Sequence, residues 1–155
     1  MDENTPYKLN VSFPGNLEYV SPIRKFISEV LIRNNFTEKF AYRSEVIIDE
    51  ICTNAISYGC RSANAHIDFE CHIYPDRIDF QVKDEGGRAE DVNRLRVAVD
   101  KTKEKQGDMT SLETISRDCL GLEIVRMLSE KIDLQIDENN VTTVKITRQC
   151  KVTET

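Results

Sequence analysis

Residues 37–59 read TEKFAYRSEVIIDEICTNAISYG, and they have the pattern of one long amphipathic helix. Thr37 is a residue type that caps helix N-termini, and Gly59 stands where a helix running to about Tyr58 would end. The apolar residues that centre on one side of this helix are Phe40, Ile47, Ile48, Ile51, Cys52 and Ala55. The stretch therefore predicts a helix with one face buried against a core.

A polar stripe runs along the margin of that apolar face. With about 100° of rotation per residue, Glu50, Asn54 and Ser57 lie on the stripe, and the side chains of Glu50 and Asn54 project together because they are four residues apart. A carboxylate and a carboxamide in this arrangement suit Mg²⁺, which takes hard oxygen ligands. The carboxylate is alternatively a general base for water or a hydroxyl. A polar stripe that only faces solvent has the same pattern. Other positions must therefore show whether Glu50 and Asn54 form a functional site.

The residues before this helix predict one strand and one helix. Residues 7–13 alternate between apolar and polar side chains, as expected for a strand with one buried face. Ser21 and Pro22 are the expected N-cap and first-turn proline of a helix. Its apolar stripe consists of Ile23, Phe26, Ile27, Val30 and Leu31.

The residues after the long helix begin with a hairpin, in which residues 67–73 and 78–82 alternate on either side of a turn at Pro75 and Asp76. We expect a short helix around residues 89–99. Residues 101–118 are polar and of mixed charge, which is typical of a surface loop; loops of this length inside a compact domain are often lids or disordered segments.

The C-terminal part of the chain predicts one more helix and two strands. Gly121 opens the helix, whose inward residues are Leu122, Val125 and Leu128. Residues 132–136 and 144–146 form strands around a turn at Asn139 and Asn140. The order of elements predicts an α/β fold, a two-layer sandwich with a mixed, mostly antiparallel sheet and helices on one face.

Composition limits the classes of function. The 155 residues include 21 Lys and Arg and 27 Asp and Glu, a net charge of −6, so the chain lacks the basic face expected of a nucleic-acid-binding protein. It fits one domain, and no apolar run is long enough to span a bilayer. The N-terminal sequence MDENTP has no signal-peptide pattern, which predicts a cytoplasmic protein. Five isolated cysteines and two histidines favour neither a zinc site nor a disulfide framework.

A second group of polar candidates follows from strand periodicity. The strand that ends at Val82 continues in phase to Asp84, so a carboxylate ends its buried face and is followed by Gly86. Such a carboxylate needs a donor, and the exocyclic amino group of adenine is one candidate. An Asp that caps its own turn is the alternative. Thr142 shares the inner face of the last strand with Val144, and it lines the same pocket or is a satisfied core threonine.

Arg117 and Gly121 are the candidates for binding phosphate. The free N–H groups of a helix N-terminus suit an anion, and the guanidinium of Arg117 adds several donors. A glycine before a helix is also an ordinary start signal. The Walker pattern G-x-x-x-x-G-K-[ST] is absent.

Four segments, in this order, resemble the sequence boxes of the Bergerat-fold (GHKL) ATP-binding domains of histidine kinases, type II topoisomerases and small anti-sigma factors. Residues 50–56 (EICTNAI) resemble the N-box, and residues 84–86 (DEG) resemble the D-x-G box. Residues 119–122 (CLGL) resemble the second glycine box, and residues 141–144 (VTTV) the final strand with its adenine-side threonine. The resemblance covers nearly the whole chain. The short length and Thr53-Asn54 point to the anti-sigma branch, whose members are serine/threonine protein kinases.

The resemblance implies one histidine-kinase-like ATP-binding domain over residues 1–155, an ATP lid at residues 101–118, and ATP and Mg²⁺ as cofactors. It implies that Asn54 binds Mg²⁺, that Glu50 is the base for the acceptor hydroxyl, and that Asp84 accepts a hydrogen bond from the adenine amino group. The cofactor-binding residues that it implies are Asn54, Tyr58, Asp84, Gly86, Arg117, Gly121, Leu122 and Thr142.

Two functions follow from the resemblance. The first is an anti-sigma kinase that phosphorylates a serine on a small anti-anti-sigma protein and sequesters a sigma factor, as a homodimer and without contact to nucleic acid or membrane. The alternative is a nucleotide-gated module that binds a partner without phosphotransfer, because Arg88 and Cys119 replace family glycines and Tyr58 replaces a frequent histidine. A detached histidine-kinase domain is a weaker third interpretation.

Overall fold

The computed structural model describes residues 7–60, 62, 64–87, 89–90, 93–94, 96–97 and 117–150, with no side chains for 117–121. In this part of the chain there are five strands, three helices with continuous bounds, and further helical residues between 89 and 97. The strands are β1 (Tyr7–Pro14), β2 (His66–Ile73), β3 (Arg77–Lys83), β4 (Lys131–Ile136) and β5 (Thr142–Gln149). The helices are α1 (Val20–Arg33), α2 (Glu38–Gly59) and α3 (Arg117–Leu128), and a 3₁₀ turn at Leu17–Tyr19 precedes α1.

The strands form one sheet in the order β1-β2-β3-β5-β4, and all four pairings are antiparallel. The predicted α/β sandwich is therefore confirmed, whereas its sheet is purely antiparallel rather than mixed. Strands β2 and β3 form one hairpin, and β4 and β5 form another. In the chain, α1 and α2 lie between β1 and β2, and α3 lies between β3 and β4. This order places the C-terminal end of β3 beside the beginning of β5.

The core lies between the inner face of the sheet and the helices. The alternation predicted for the first hairpin is seen directly, because the side chains at 67, 69, 71 and 73 are buried while those at 66 and 68 are exposed. Helix α2 buries Phe40, Ile47, Ile48, Ile51 and Cys52 against this face. The apolar stripe of α2 thus fixes which of its polar residues sit at the edge of the core.

The helix boundaries confirm one predicted cap and correct another. The Thr37 side chain accepts a hydrogen bond from Phe40 N at 3.1 Å, as predicted for the start of α2. The prediction that Ser21 caps α1 is wrong, because the 3₁₀ turn, capped by Asn16, runs directly into a helix that begins at Val20. Ser21 Oγ instead accepts a hydrogen bond from Arg24 at 3.1 Å.

The prediction that Gly121 opens the last helix is also wrong, because α3 begins at Arg117 and Gly121 lies inside it. A glycine inside a helix costs only about 1 kcal/mol relative to alanine, and buried Leu122 and Val125 favour continuation of the helix. The helix predicted at 89–99 is confirmed at residues 89–90, 93–94 and 96–97, which are helical. Its other residues, and the predicted lid at 101–118 except for the first two residues of α3, lie outside the described residues. No helix among the described residues is both long and apolar enough to cross a membrane.

Arg148 is buried, with only 2% of its surface exposed, although nothing in the sequence singled it out. Its guanidinium donates hydrogen bonds to Leu128 O at 2.7 Å, Phe40 O at 2.9 Å and Ser44 Oγ at 2.9 Å. It also lies 4.1 Å from the centre of the Phe40 ring. One side chain of β5 therefore joins the first turn of α2 to the last turn of α3.

Candidate functional site

Four of the predicted site residues surround one cavity between α2, α3 and the inner face of the sheet. These residues are Asn54, Asp84, Leu122 and Thr142. The remaining lining is apolar and consists of Ile51, Ala55, Val82, Ile132, Leu134 and Val144. The cavity has a volume of about 10 Å³, which is room for about one water molecule. The predicted convergence of Asp84 and Asn54 is therefore seen in a nearly closed space.

Asp84 ends the buried face of β3, as the strand period predicts, and it is 5% exposed. Its Oδ1 atom accepts hydrogen bonds from Gly86 N and Thr142 N, both at 2.9 Å. Burial raises the pKa of this carboxyl above its ordinary value, and the two backbone hydrogen bonds oppose the shift. The alternative interpretation, an Asp that caps its own turn, is therefore confirmed. The carboxylate also faces the cavity, and recognition of adenine stays a prediction.

Glycines allow the backbone after β3 to approach the end of α2. Gly86 has a φ of +107°, a conformation that residues with side chains rarely adopt. A β-carbon built on Gly59 would overlap the Asp84 carboxylate, and one built on Gly87 would overlap the carbonyl oxygen of Tyr58. The sequence analysis treated Gly59 only as a helix terminator, and it missed this contact because Gly59 and Asp84 are distant along the chain.

We expect Gly59→Ala to weaken the binding of Mg-ADP about tenfold or more. The new β-carbon displaces the Asp84 carboxylate, and this displacement disturbs the charge-assisted hydrogen bond that the carboxylate is predicted to accept from the adenine amino group. Alanine favours helix over glycine, so a loss of binding would not reflect helix propensity. Isothermal titration calorimetry measures the effect, with exposed Ser57→Ala on the same turn as the control. Equal affinity in Gly59→Ala and the wild type would contradict the role assigned to this contact.

Asn54 and Glu50 lie on α2 one turn apart and differ in their surroundings. Asn54 is buried, and its side chain lines the cavity. Glu50 is half-buried and outside the cavity lining. No cluster of three or more His, Cys, Asp or Glu able to hold a metal occurs in the described part of the chain. The Asn54 amide oxygen suits Mg²⁺ as one ligand of a shell completed by phosphate and water.

Thr142 begins β5, and its side chain is buried beside Asp84. The hydroxyl helps to lower the pKa of Asp84, yet Oγ1 meets no hydrogen-bond geometry with any described residue. The Thr142 side chain therefore lies beside the Asp84 carboxylate and lines the cavity. Its contact with a ligand stays a prediction.

The other predicted positions are distributed around this cavity. Tyr58 and Leu134 pack against Leu122 in a small cluster separate from the main core. The backbone at 117 and 121 belongs to α3. The side chain of Arg117 lies outside the described residues, as do the residues of the predicted phosphate-side loop. The described geometry thus concerns the base end of the predicted nucleotide site.

The chemistry of these groups fits a purine base. Asp84 offers a carboxylate acceptor for an exocyclic amino group, and Thr142 offers a hydroxyl that can donate to or accept from a ring nitrogen. Apolar side chains form the walls, as is usual for ligand pockets with few polar contacts. A base fits only if the cavity enlarges, since its present volume admits about one water.

Comparisons with known proteins find relatives that are named as serine-protein kinases. A serine-protein kinase RsbW of Bacillus cereus is 28% identical over 132 residues, which cover 84% of this chain and 79% of that protein. The RsbW of Bacillus subtilis is 25% identical over 139 residues, covering 87% and 81%. That of Listeria innocua is 24% identical over 138 residues, covering 84% and 81%.

A family of domains matches the chain over a similar range. Residues 13–148 match the histidine kinase-like ATPase domain. This range runs from the end of β1 to Arg148 and so includes the whole cavity with Asn54, Asp84 and Thr142. The chain belongs to the family of histidine kinase-like ATPase domains.

Proposed function

We propose that this protein binds Mg-ATP and transfers the γ-phosphate to a serine of a small anti-anti-sigma protein, and that it sequesters a sigma factor. The observation that carries the proposal is the buried Asp84 carboxylate, which faces an apolar cavity beside the buried Thr142 side chain. Relatives named serine-protein kinase RsbW support the choice of reaction.

Each site residue has a distinct part in this proposal. Asp84 accepts a hydrogen bond from the adenine amino group, and Thr142, Leu122 and Tyr58 contribute to the base end of the site. Gly86 lets the backbone pass close to the base. Asn54 is the protein ligand of Mg²⁺, which when bound neutralises charge on the phosphates.

The phosphate end of the site is formed by residues of α3 and α2. Arg117 and the backbone around Gly121 bind the phosphates in this proposal. Glu50 accepts the proton of the serine hydroxyl as the hydroxyl oxygen bonds to the γ-phosphorus and the bond to the leaving ADP oxygen breaks. Phosphoryl transfer requires mainly positioning and charge neutralisation, and in this proposal Glu50 and Asn54, on neighbouring turns of α2, supply the base and the metal ligand.

We expect Glu50→Gln to slow phosphotransfer by about 100- to 10,000-fold, the usual contribution of general base catalysis, with little change in ATP affinity. Transfer of ³²P from ATP to a cognate antagonist protein measures the rate, and Glu29→Gln, which removes an exposed carboxylate on α1, is the matched control. Transfer at the wild-type rate by Glu50→Gln would mean that Glu50 is not the base.

A binding module without phosphotransfer is the second candidate, favoured by Arg88 and Cys119 at positions where the resembling family has glycine. In this case ATP shifts a conformational equilibrium by its different affinities for two states. Tight, ATP-dependent binding of a partner with no loss of phosphate over hours selects this function. In either case we propose a cytoplasmic homodimer.

A further inference from the structure

Asp137 closes the turn between β4 and β5 with both its side chain and its backbone. Its Oδ1 atom accepts hydrogen bonds from Asn139 N at 2.8 Å and Val141 N at 3.0 Å. Its backbone N–H donates to Val141 O, and its carbonyl oxygen accepts from Asn140 N, both at 3.1 Å. Asn140 has a φ of +61°, a conformation that asparagine tolerates better than most residues. The shape of this turn therefore depends on Asp137.

The same turn holds the Asp84 carboxylate beside the cavity. Thr142, which follows the turn, donates its backbone N–H to Asp84 Oδ1 at 2.9 Å, and its carbonyl oxygen accepts from Asp84 N at 3.2 Å. Asn140 O accepts a hydrogen bond from Gly87 N at 3.3 Å, so the loop after β3 is held as well. The backbone and the carboxylate of Asp84 are thus fixed by residues whose own conformation depends on Asp137.

We propose that Asp137 is a positioning residue for recognition of the nucleobase, because its carboxylate fixes the turn that orients Asp84. This inference rests on the proposed function, in which Asp84 accepts a hydrogen bond from the adenine amino group. Asp137 is exposed and lies outside the cavity lining, so it acts through Asp84. Hydrogen bonds are directional and weaken steeply when misaligned. The preference for adenine therefore depends on a residue at the surface, outside the pocket.

The geometric and the electrostatic effects of Asp137 are separable by substitution. Burial is the main cause of the raised pKa of Asp84, and the negative charge of Asp137 adds to it. Asparagine at position 137 keeps an oxygen that accepts from the turn N–H groups and loses the charge, whereas alanine loses both. A positioning role predicts that Asp137→Asn behaves as the wild type does and that Asp137→Ala does not.

The test compares Asp137→Ala and Asp137→Asn with Glu138→Ala, which removes an exposed carboxylate from the same turn. Calorimetric titration gives the dissociation constants for ADP and for inosine diphosphate, which lacks the amino group, both with Mg²⁺. We expect Asp137→Ala to bind ADP about five- to tenfold more weakly, a part of the effect of losing a hydrogen bond to a charged group. Its affinity for inosine diphosphate should change little. Asp137→Asn and Glu138→Ala should bind both nucleotides as the wild type does.

Two results of this titration overturn the positioning role. One is a wild-type ratio of the two dissociation constants in Asp137→Ala, and the other is an Asp137→Asn variant as weak as Asp137→Ala. If the wild type itself does not bind Mg-ADP, the proposed function fails. Binding by the wild type with an unchanged ratio in Asp137→Ala refutes the role of Asp137 alone.

A second measurement needs no nucleotide. Amide hydrogen exchange followed by NMR should be about tenfold faster or more for Asp84 and Thr142 in Asp137→Ala than in the wild type, because the hydrogen bonds between them open more often. The amides in the middle of β2 should exchange at the wild-type rate. Unchanged exchange at Asp84 and Thr142 overturns the coupling, and equally faster exchange in β2 would mean a general loss of stability and would overturn it too.

Discussion

Asp84→Asn should weaken the binding of Mg-ADP by about 10- to 150-fold and leave the fold intact. A hydrogen bond to a charged group contributes about 1.5–3 kcal/mol, which corresponds to that range in the dissociation constant. The asparagine oxygen can still accept from Gly86 N and Thr142 N in place of Oδ1. Its NH₂ group then replaces Oδ2 and opposes the amino group of adenine, so recognition fails while the turn persists.

Comparison of ADP with inosine diphosphate makes this prediction specific. Inosine diphosphate has a carbonyl where adenine has its amino group, so Asp84→Asn should bind it relatively better than the wild type does. Calorimetric titration of both nucleotides gives the ratio of their dissociation constants. An equal loss for the two would indicate general damage to the cavity and would contradict base recognition by Asp84.

The stability of Asp84→Asn supplies an independent check. Burial raises the pKa of Asp84 above its ordinary value of 3.8, so the folded state binds the proton more tightly than the unfolded state. The contribution of Asp84 to stability therefore falls as pH rises from about 3.8 through the raised pKa. Asparagine has no such titration. We expect the variant to melt at pH 7 no lower than the wild type, as measured by circular dichroism.

Arg148→Ala should lower the free energy of unfolding by about 3–5 kcal/mol, because each buried acceptor that loses its donor costs about 1–3 kcal/mol. The substitution removes the donors to Leu128 O, Phe40 O and Ser44 Oγ, and it leaves a void beneath the Phe40 ring. Domains of this size are stable by only about 5–15 kcal/mol, so a large fraction of the total is at stake.

Urea unfolding followed by circular dichroism measures the effect of Arg148→Ala. The matched variant is Arg148→Lys, which keeps the positive charge but cannot reach three acceptors with one planar group; it should lie between the wild type and Arg148→Ala. Thr147→Ala, the neighbour on the outer face of β5, should change stability little. A loss below about 1 kcal/mol for Arg148→Ala would mean that the contacts of Arg148 contribute little net stability.

The sequence predicted those parts of the fold and site that depend on local periodicity. Because alternate side chains of a strand share a face, Asp84 was predicted to face inward like Val82, and Thr142 was predicted to face inward like Val144. The helical period placed Asn54 beside the core because six apolar residues define that face of α2. These features need no knowledge of which elements become neighbours.

The features that the sequence did not predict depend on partners that are distant along the chain. Arg148 shares the inward phase of Thr142, but its charge argued against burial until Phe40, Ser44 and Leu128 were placed around it. The contact of Gly59 with Asp84 arises only when α2 docks on the end of β3. Gly121 was misassigned because local propensity for a helix start was outweighed by the packing of its neighbours.

The carboxylate of Asp84 is bound to the first residue of β5, and Gly86 lies so close to the turn before β5 that a β-carbon would come within 2.9 Å of Asn139 O. The residue proposed to recognise the nucleobase and a surface hairpin are thus held together. Under the proposed function, insertions or deletions between β4 and β5, which are usually tolerated in exposed turns, would shift Asp84 and change the preference for a nucleobase without altering any residue that lines the pocket.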